Sequence, residues 1–458
     1  MMKGTFRSLS KVSSPGRRVL RSNPQWTFRG YATASGAYPV TSSTQHHKTL
    51  VIGCGSAGLN VGHQLLRTGR FAPEEIAAVD PAEWHHYQPG WTLVGAGLKA
   101  KEDLRRPLKS LVDPKIKFYN HSVANISPEQ NLVTLNSGHK LSYDHLVVVP
   151  GITLKLDAIK GLPEALANPD SNVSSTYSYE TCSKVWDNIT RFQKGDAIFT
   201  QPAGVVKCAG GPQKIMWLAE HKWRKAGIFN PDDLSNSPAK IAFATGLPVM
   251  FGVPKYSKRL DALREQRRVE GLFEHDLTSI QGNTATFTRP QGDTVSRHFD
   301  FLHAVPKMGP FDLIKNSPIA NAAGFVDVDD GTTQHKKFPN VWSIGDASSL
   351  PTSKTAAAIT AQAPVLVRNL LDTMDGKAIS WKYDGYTSCP LLTEYGKVML
   401  CEFKYGGQPQ ETFGNLLGID QSQPRRAFYY LKKDFFPWVY YNSYVKGTWG
   451  GPKGWLRN

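Results

Sequence analysis

A glycine-spaced segment, Gly53-Cys-Gly-Ser-Ala-Gly58, lies between two short apolar runs and constrains the fold of this chain more than any other feature. Residues 48–52 and 75–79 have the length of buried strands, and residues 59–67 have a helical pattern. In such a β-α-β unit the first glycine allows the tight turn, the second lets a phosphate approach the backbone and the third lets the helix pack on the sheet. We therefore predict a dinucleotide-binding unit with cofactor contacts at Gly53, Gly55, Ser56, Ala57, Gly58 and the acid Asp80.

Two later segments indicate which dinucleotide binds. Residues 143–151 form an apolar run closed by Pro150-Gly151, and residues 338–347 read as a strand that ends in Gly345-Asp346. Together with the first motif they resemble the three FAD fingerprints of flavoproteins with two dinucleotide-binding domains. That resemblance implies that Asp346 binds the ribityl chain. A helix from Thr355 to about residue 368, with Lys354 before it, would place positive charge at the pyrimidine end of the flavin. Gln88 and Val123 complete the candidate cofactor contacts.

The middle of the chain lacks the second fingerprint that an NADH-oxidising flavoprotein of this kind carries. The equivalent strand is predicted at residues 196–200, and residues 201–212 follow it without a G-x-G-x-x-G spacing. Pro202 occupies the turn, and a helix begins at Pro212. We expect a Rossmann-like domain without a nicotinamide site, so that electrons enter from another donor.

Two of the five cysteines are redox candidates. Cys208 follows Lys207 and precedes a predicted helix start, a setting that lowers a thiol pKa. Cys389 lies in a turn-rich segment, where we expect it to be the more exposed of the two sulfurs. Spacing alone leaves their pairing open. We expect Cys182 and Cys401 to serve packing, and Cys54 to fill a place in the phosphate turn where a small residue suffices and the thiol has no role.

Four segments then carry a specific resemblance. Residues 88–97, 206–215, 350–358 and 383–390 resemble the corresponding parts of the mitochondrial sulfide:quinone oxidoreductase family, and the similarity covers about residues 46–458. The resemblance implies that Cys208 and Cys389 form a disulfide or a sulfur-bridged trisulfide beside FAD. Hydrosulfide would attack Cys389, with Lys207 favouring the Cys208 thiolate as leaving group. The persulfide sulfur would pass to glutathione or sulfite, and the electrons to ubiquinone. The sequence assigns no general acid or base among Glu180, Glu394 and His85.

The basic charge of the chain is concentrated at its two ends. Residues 1–45 hold seven Lys or Arg and no acid, as in a mitochondrial transit peptide. Residues 424–458 hold seven Lys or Arg, one acid and 11 aromatic residues, a composition typical of a membrane interface. Helical spacing places an apolar stripe in this segment, made of Phe428, Leu431, Phe435 and Trp438 or Val439. Lys432 and Lys433 fall mostly off that stripe. Pro437 is expected to break the run into a hairpin.

The predicted architecture is an α/β fold of two tandem Rossmann-like domains with a C-terminal amphipathic membrane-interface segment. Its boundaries are a leader at 1–45, a discontinuous FAD domain at 46–155 and 311–375, a second domain at 156–310 and a C-terminal region at 376–458. We expect a monotopic protein on the matrix side of the mitochondrial inner membrane. We expect neither a metal site nor a nucleic-acid partner, and homo-oligomerisation stays open.

Three other functions compete with sulfide oxidation by a quinone-linked flavoprotein. A membrane NADH:quinone oxidoreductase would share the FAD fold and the anchor, but it would need the missing second fingerprint. A flavocytochrome-type sulfide dehydrogenase subunit would pass electrons to a haem partner and would not need the basic aromatic tail. A catalytically dead flavoprotein that acts as a binding factor would not need the Cys208 and Cys389 thiols.

Overall fold

The first layer of the fold is a seven-stranded sheet, seen in a computed structural model that describes residues 44–451. Four neighbouring strands of the sheet are parallel, and an antiparallel pair extends it at one edge. In spatial order the strands are Lys117–Tyr119, Ile76–Val79, Gln45–Ile52, Lys140–Val148, Leu132–Leu135 and Val123–Ser127, with Val341–Trp342 also paired to Lys140–Val148. The central strands are apolar and buried at residues 50–52 and 146–148 and along all of Ile76–Val79.

Two helices cover one face of this first sheet. They are Ser56–Arg67, here called the motif helix, and Ala356–Met374, whose first turn is capped by the Thr355 side chain at Ala358 N. Leu65 of the motif helix and Leu366 of the later helix are both fully buried in one core cluster. The helix Ala356–Met374 comes from far along the sequence and packs beside the motif helix. The first and last fingerprints, which precede these two helices, therefore lie at the same end of the sheet.

A second parallel sheet forms the middle layer. Its strands, in spatial order, are Val173–Ser174, Phe301–His303, Gly195–Gln201, Ala239–Thr245 and Glu270–Phe273. The helices Cys182–Arg191, Gly211–Lys225 and Pro254–Gln266 accompany it, and we call Gly211–Lys225 the central helix. Trp217 and Trp223 on the central helix are fully buried, so this helix is held on both sides. The predicted pair of Rossmann-like sheets is confirmed.

Smaller elements connect these layers. Antiparallel strands occur at Asp276–Gln281, Thr284–Thr288 and Thr294–His298, at Thr387–Glu394, Lys397–Lys404 and Gln408–Pro409, at Trp84–His86 with Arg105–Pro107, and at Thr153–Lys155 with Lys307–Gly309. Short helices occur at Trp91–Val94, Leu162–Ala167, Asp312–Lys315 and Thr412–Leu417. The hairpin of Thr387–Glu394 and Lys397–Lys404 packs on the central helix through Leu391 and Met399.

The C-terminal helical run, residues 426–444, alternates α-helical and π-helical turns without a break. The predicted hairpin at Pro437 is therefore wrong. Pro437 lies in Phe436–Val439, between two π-helical turns, and the helical run continues past it. No helix within residues 44–451 has both the length and the apolar composition needed to cross a bilayer.

Part of the aromatic tail is core rather than surface. Tyr440, Tyr444 and Val445 are at most 4% exposed and belong to the cluster that contains the motif helix. Asn60 and His63 of the motif helix contact the Tyr444 and Val445 carbonyls. The tail is therefore a structural part of the first layer. Residues 1–43 of the predicted leader, and 452–458, lie outside the described residues.

Candidate functional site

The three motif glycines lie where the first strand turns into the motif helix, and two of them have no room for a side chain. Gly53 has φ +95°, and a Cβ there would lie 2.6 Å from the Pro150 Cα. A Cβ on Gly58 would lie 1.8 Å from the Gly53 carbonyl oxygen. Gly55 differs, since a Cβ there would meet no atom of the described residues within 4 Å. The turn thus leaves its backbone open where a phosphate would approach.

The first and last fingerprints meet at this turn. A Cβ on Gly345, which has φ +67°, would lie 3.6 Å from the Ala57 Cβ. Gly151 follows the strand beside the turn and also faces open space. Asp80 accepts hydrogen bonds from Cys54 N at 2.6 Å and Ala82 N at 2.8 Å, and burial raises the pKa of its carboxyl. The open glycine backbone at this turn, together with the Asp80 carboxyl, fits a dinucleotide.

A buried charge cluster extends from the last fingerprint toward the second layer. Burial raises the pKa of Asp346, although Lys207 and Lys354 oppose that shift. Burial lowers the pKa of Lys354 to about 8, and its ammonium donates to the Ser348 carbonyl at 2.7 Å. Lys207 donates to Gln88 Oε1 at 3.1 Å. One acid between two lysines is a donor set that suits a polar, partly anionic ring system such as a flavin.

Val123, another predicted cofactor contact, lies at an edge of the first sheet. It begins the edge strand Val123–Ser127 and packs in the cluster that contains Val79 and Tyr119. Ser56 is partly engaged already, because its hydroxyl hydrogen-bonds the Tyr440 hydroxyl at 2.6 Å.

The two candidate redox cysteines are in contact. Cys208 Sγ and Cys389 Sγ lie 3.0 Å apart, so a small movement suffices to form a bond of about 2.05 Å. Cys208 has φ +61°, in the loop before the central helix. Its N–H donates to the Lys354 carbonyl at 2.8 Å, which ties the sulfur pair directly to the charge cluster. A Cβ on Gly210 would lie 2.6 Å from Cys389 Sγ, so glycine permits this close approach.

The expected exposure of Cys389 is wrong. Cys389 is 0% exposed and belongs to the strand Thr387–Glu394, whereas Cys208 is partly exposed. The turn-rich residues end before Thr387, and the hairpin then packs on the central helix, which covers the sulfur. The predicted turn-rich segment, residues 383–390, therefore ran past the start of the strand at Thr387.

Lys214 is the ammonium that touches the pair. Its Nζ donates to Cys208 Sγ at 3.2 Å, whereas the Lys207 side chain points to Gln88. The hydrogen bond from Cys389, followed by the charge of Lys214, places the pKa of Cys208 well below its usual value. The same hydrogen bond and burial raise the pKa of Cys389. Lys214 lies in the first turn of the central helix, where side chains point back toward the helix start, and this is the signal that could have identified it.

Tyr177 is a further neighbour that the sequence did not single out. Its hydroxyl donates to the Lys207 carbonyl at 3.3 Å. Burial and, after it, the two cysteines raise its pKa.

Of the acid–base candidates, His85 hydrogen-bonds the Tyr440 hydroxyl at 2.8 Å, and burial lowers its pKa to about 4. Glu394 is held by Arg267 at 2.8 Å, and Glu180 is exposed.

The other three cysteines are buried in the core. Burial raises the pKa of Cys54 and Cys401 well above the usual value and that of Cys182 to about 11. Thiols of this kind are inert toward oxidation and exchange.

The loop after the first central strand of the second sheet lacks the G-x-G-x-x-G turn that a nicotinamide nucleotide needs. The loop after Gly195–Gln201 turns back so that Ala203 N lies 2.4 Å from where a Cβ of Gly246 would be. Ala203 N also donates to Asp276 Oδ1 at 3.2 Å. The start of the central helix faces the sulfur pair instead of a pyrophosphate.

Comparisons with known proteins agree with this geometry. No protein-family model matches the chain. The mitochondrial sulfide:quinone oxidoreductase of Schizosaccharomyces pombe is 47% identical over 433 residues, which are 90% of this chain and 93% of that protein. The chain therefore belongs to the sulfide:quinone oxidoreductase family. The mitochondrial enzyme of Mus musculus is 41% identical over 90% of this chain and 89% of its own length.

A solved structure shows the same fold in a more distant member of this family. The sulfide:quinone oxidoreductase of Aquifex aeolicus superposes with a TM-score of 0.70 at 18% identity, over 87% of this chain and 92% of that one. The family resemblance expected from the four sequence segments is thus confirmed.

Proposed function

We propose that this chain oxidises hydrogen sulfide at the Cys208–Cys389 pair, holds FAD at the first sheet and passes two electrons to ubiquinone. The observation that carries this proposal is the 3.0 Å contact between the two sulfurs, one backbone hydrogen bond away from Lys354. The name of each mitochondrial relative specifies sulfide and a quinone as its substrates. The segment at residues 201–212, which has no G-x-G-x-x-G spacing, gives no support to NADH as donor.

The charges around the pair set the direction of the sulfide step. Hydrosulfide attacks the Cys389 sulfur of the closed bridge, the S–S bond breaks, and Cys208 leaves as a thiolate, which yields a Cys389 persulfide. Cys208 is the better leaving group because Lys214 stabilises its thiolate, and a thiol of lower pKa leaves faster. Attack at Cys389 thus rests on leaving-group chemistry and not on its exposure.

The second half of the cycle restores the bridge. A glutathione thiolate or sulfite takes the outer sulfur of the Cys389 persulfide, and the Cys208 thiolate bonds to the Cys389 sulfur. This releases one proton and two electrons. Asp346, Lys207 and Lys354 would hold the flavin, which would supply the two-electron acceptor beside the pair and the route to ubiquinone. Anaerobic addition of sulfide to the flavin-loaded protein should bleach the flavin absorbance, and a ubiquinone analogue should restore it.

We also propose that the protein docks on the matrix side of the mitochondrial inner membrane. The basic, acid-free residues 1–45 support mitochondrial import, as do the relatives named as mitochondrial. Four exposed apolar side chains, which we call the apolar surface, support docking. They are Leu416, Leu417, Tyr430 and Trp438, and they are 51%, 67%, 49% and 60% exposed. The rings of Phe413 and Phe428 are in tilted contact, with their centroids 5.4 Å apart. This contact joins the helix that carries the two leucines to the C-terminal helical run.

The apolar surface differs from the stripe expected from the sequence. Phe428 and Val439 are buried, and only Trp438 of that stripe is well exposed. The exposed residues Arg425 and Arg426 lie at the start of the run, where they can meet anionic headgroups. The apolar surface, not the whole tail, is the part we assign to the membrane.

A paired substitution on the apolar surface tests this docking. The Leu417→Ser, Trp438→Ser protein should bind vesicles of mixed zwitterionic and anionic lipid about tenfold or more weakly, because each side chain loses on the order of 1–2 kcal/mol of apolar burial. Co-sedimentation measures the loss. Trp381→Ser, which changes a tryptophan that is 49% exposed and lies outside this surface, is the matched control. Equal vesicle binding by the pair variant and its parent would refute the assignment. Deleting the whole tail is a poor test, since Tyr440 and Tyr444 are core residues.

A further inference from the structure

One lysine of the C-terminal helical run is buried. Lys432 is 2% exposed, and its Nζ donates to the Pro89 carbonyl at 2.8 Å. Its neighbour Lys433 is partly exposed and pairs with Asp434 at 2.8 Å. Both lysines are expected to lie mostly off the apolar stripe, yet Lys432 is buried, because the π-helical turn Leu431–Phe435 rotates this side chain inward.

The surroundings of Lys432 connect it to the sulfur pair. Burial, followed by the charge of Lys214, lowers the pKa of Lys432 to about 7, whereas Cys208 and Cys389 raise it. These three groups are the charged and titratable neighbours that act on it among the described residues, and none is a carboxylate. Pro89 itself belongs to the turn Gln88–Gly90, whose Gln88 binds the lysine that precedes Cys208.

A buried amine without an anionic partner is costly unless an anion forms beside it. The closed sulfur bridge carries no charge, but its opening places a thiolate on Cys208. Lys214 touches that sulfur directly, and Lys432 acts on it through the electric field within the same buried site. The Coulomb term between buried charges is large because little water screens it.

We propose that Lys432 is a second positioning residue of the redox pair, whose ammonium stabilises the Cys208 thiolate formed when sulfide opens the bridge. This inference rests on the proposed function of the pair. It gives the C-terminal helical run two roles, since Tyr430 and Trp438 would meet the membrane while Lys432 completes the sulfide site. The run would thus join the membrane-facing and sulfide-facing parts of the protein in one element.

The test compares Lys432→Gln with Lys433→Gln in the reduced, flavin-loaded protein. Glutamine keeps an N–H donor for the Pro89 carbonyl and removes only the charge. The readout is the pH dependence of Cys208 alkylation by iodoacetamide, followed by mass spectrometry, since the other cysteines are buried. We expect Lys432→Gln to raise the Cys208 thiolate pKa by about one unit, so that alkylation below that pKa slows about tenfold. Lys433→Gln should leave the profile unchanged.

Two outcomes would overturn the inference. One is a parent-like alkylation profile in Lys432→Gln, and the other is an equal shift in Lys433→Gln. If Lys432→Gln fails to fold, Lys432→Met is measured in the same way, and an unchanged Cys208 profile again contradicts the proposal. The alkylation readout does not need sulfide oxidation. A shifted profile together with full sulfide activity in Cys208→Ser would therefore refute the proposed function and leave the Lys432 assignment standing.

Discussion

The Cys389→Ser protein is expected to keep its flavin and to lose sulfide-dependent flavin reduction by about 10³-fold or more. A serine oxygen cannot form the bridge to Cys208 or carry a persulfide, so neither half of the cycle can occur. The pair lies 3.0 Å apart, and no other cysteine of the chain contacts Cys208. Cys208→Ser should show the same loss. Anaerobic stopped-flow absorbance of the flavin measures both.

Cys401→Ser is the matched control for the Cys389 substitution. Cys401 lies directly opposite Cys389 in the hairpin and is equally buried, so the two changes disturb packing to a similar degree. We expect it to retain sulfide-dependent flavin reduction. Parent-like reduction in Cys389→Ser, or loss of activity in Cys401→Ser equal to that in Cys389→Ser, would contradict a redox role for the pair.

The second large effect is expected from Lys214→Met. Although burial disfavours its ammonium, the Cys208 and Cys389 sulfurs raise the pKa of Lys214, so it stays charged beside the thiolate. Removing it raises the pKa of Cys208. The thiolate is then lost as the pH falls through that higher pKa, and Cys208 leaves more slowly near neutral pH. We expect sulfide-dependent flavin reduction to fall by about 10–100-fold near neutral pH and to recover partly as the pH rises.

Lys225→Met is the control for Lys214→Met, because Lys225 lies on the same helix but is exposed at its far end. It should leave the rate and its pH profile unchanged. A uniform loss in Lys214→Met, with no recovery at higher pH, would show that Lys214 acts through packing rather than through its charge.

The parts of the fold that depend on local spacing could be predicted from the sequence. Gly53, Gly55 and Gly58 specify a turn whose glycine roles are set within six residues, and the structure shows those roles directly in the distances at Gly53 and Gly58. The start of the central helix could be predicted for the same reason, because proline favours a first helical turn. The α/β class followed from alternating strands and helices around these motifs.

The parts of the site that depend on distant contacts could not be predicted. Lys207 was the natural partner for Cys208 by adjacency, yet the loop turns its side chain to Gln88 and leaves Lys214 to contact the sulfur. The burial of Cys389 depends on a hairpin that packs on the central helix. Lys432 is turned inward by a π-helical register that no heptad or stripe count represents. The burial of Cys389 and of Lys432 is decided by packing between separate segments, and the sequence pattern around each carries no record of it. Lys214 differs, because its place in the first turn of the central helix is a signal in the sequence.

The most direct test of the central claim is the choice of electron donor. Flavin absorbance is followed anaerobically while the purified, flavin-loaded protein receives sulfide in one cuvette and NADH in another. We predict that sulfide bleaches the flavin, that a ubiquinone analogue restores it, and that NADH leaves it unchanged because the segment after the strand Gly195–Gln201 lacks a G-x-G-x-x-G turn. Bleaching by NADH but not by sulfide would contradict the account and favour an NADH:quinone oxidoreductase.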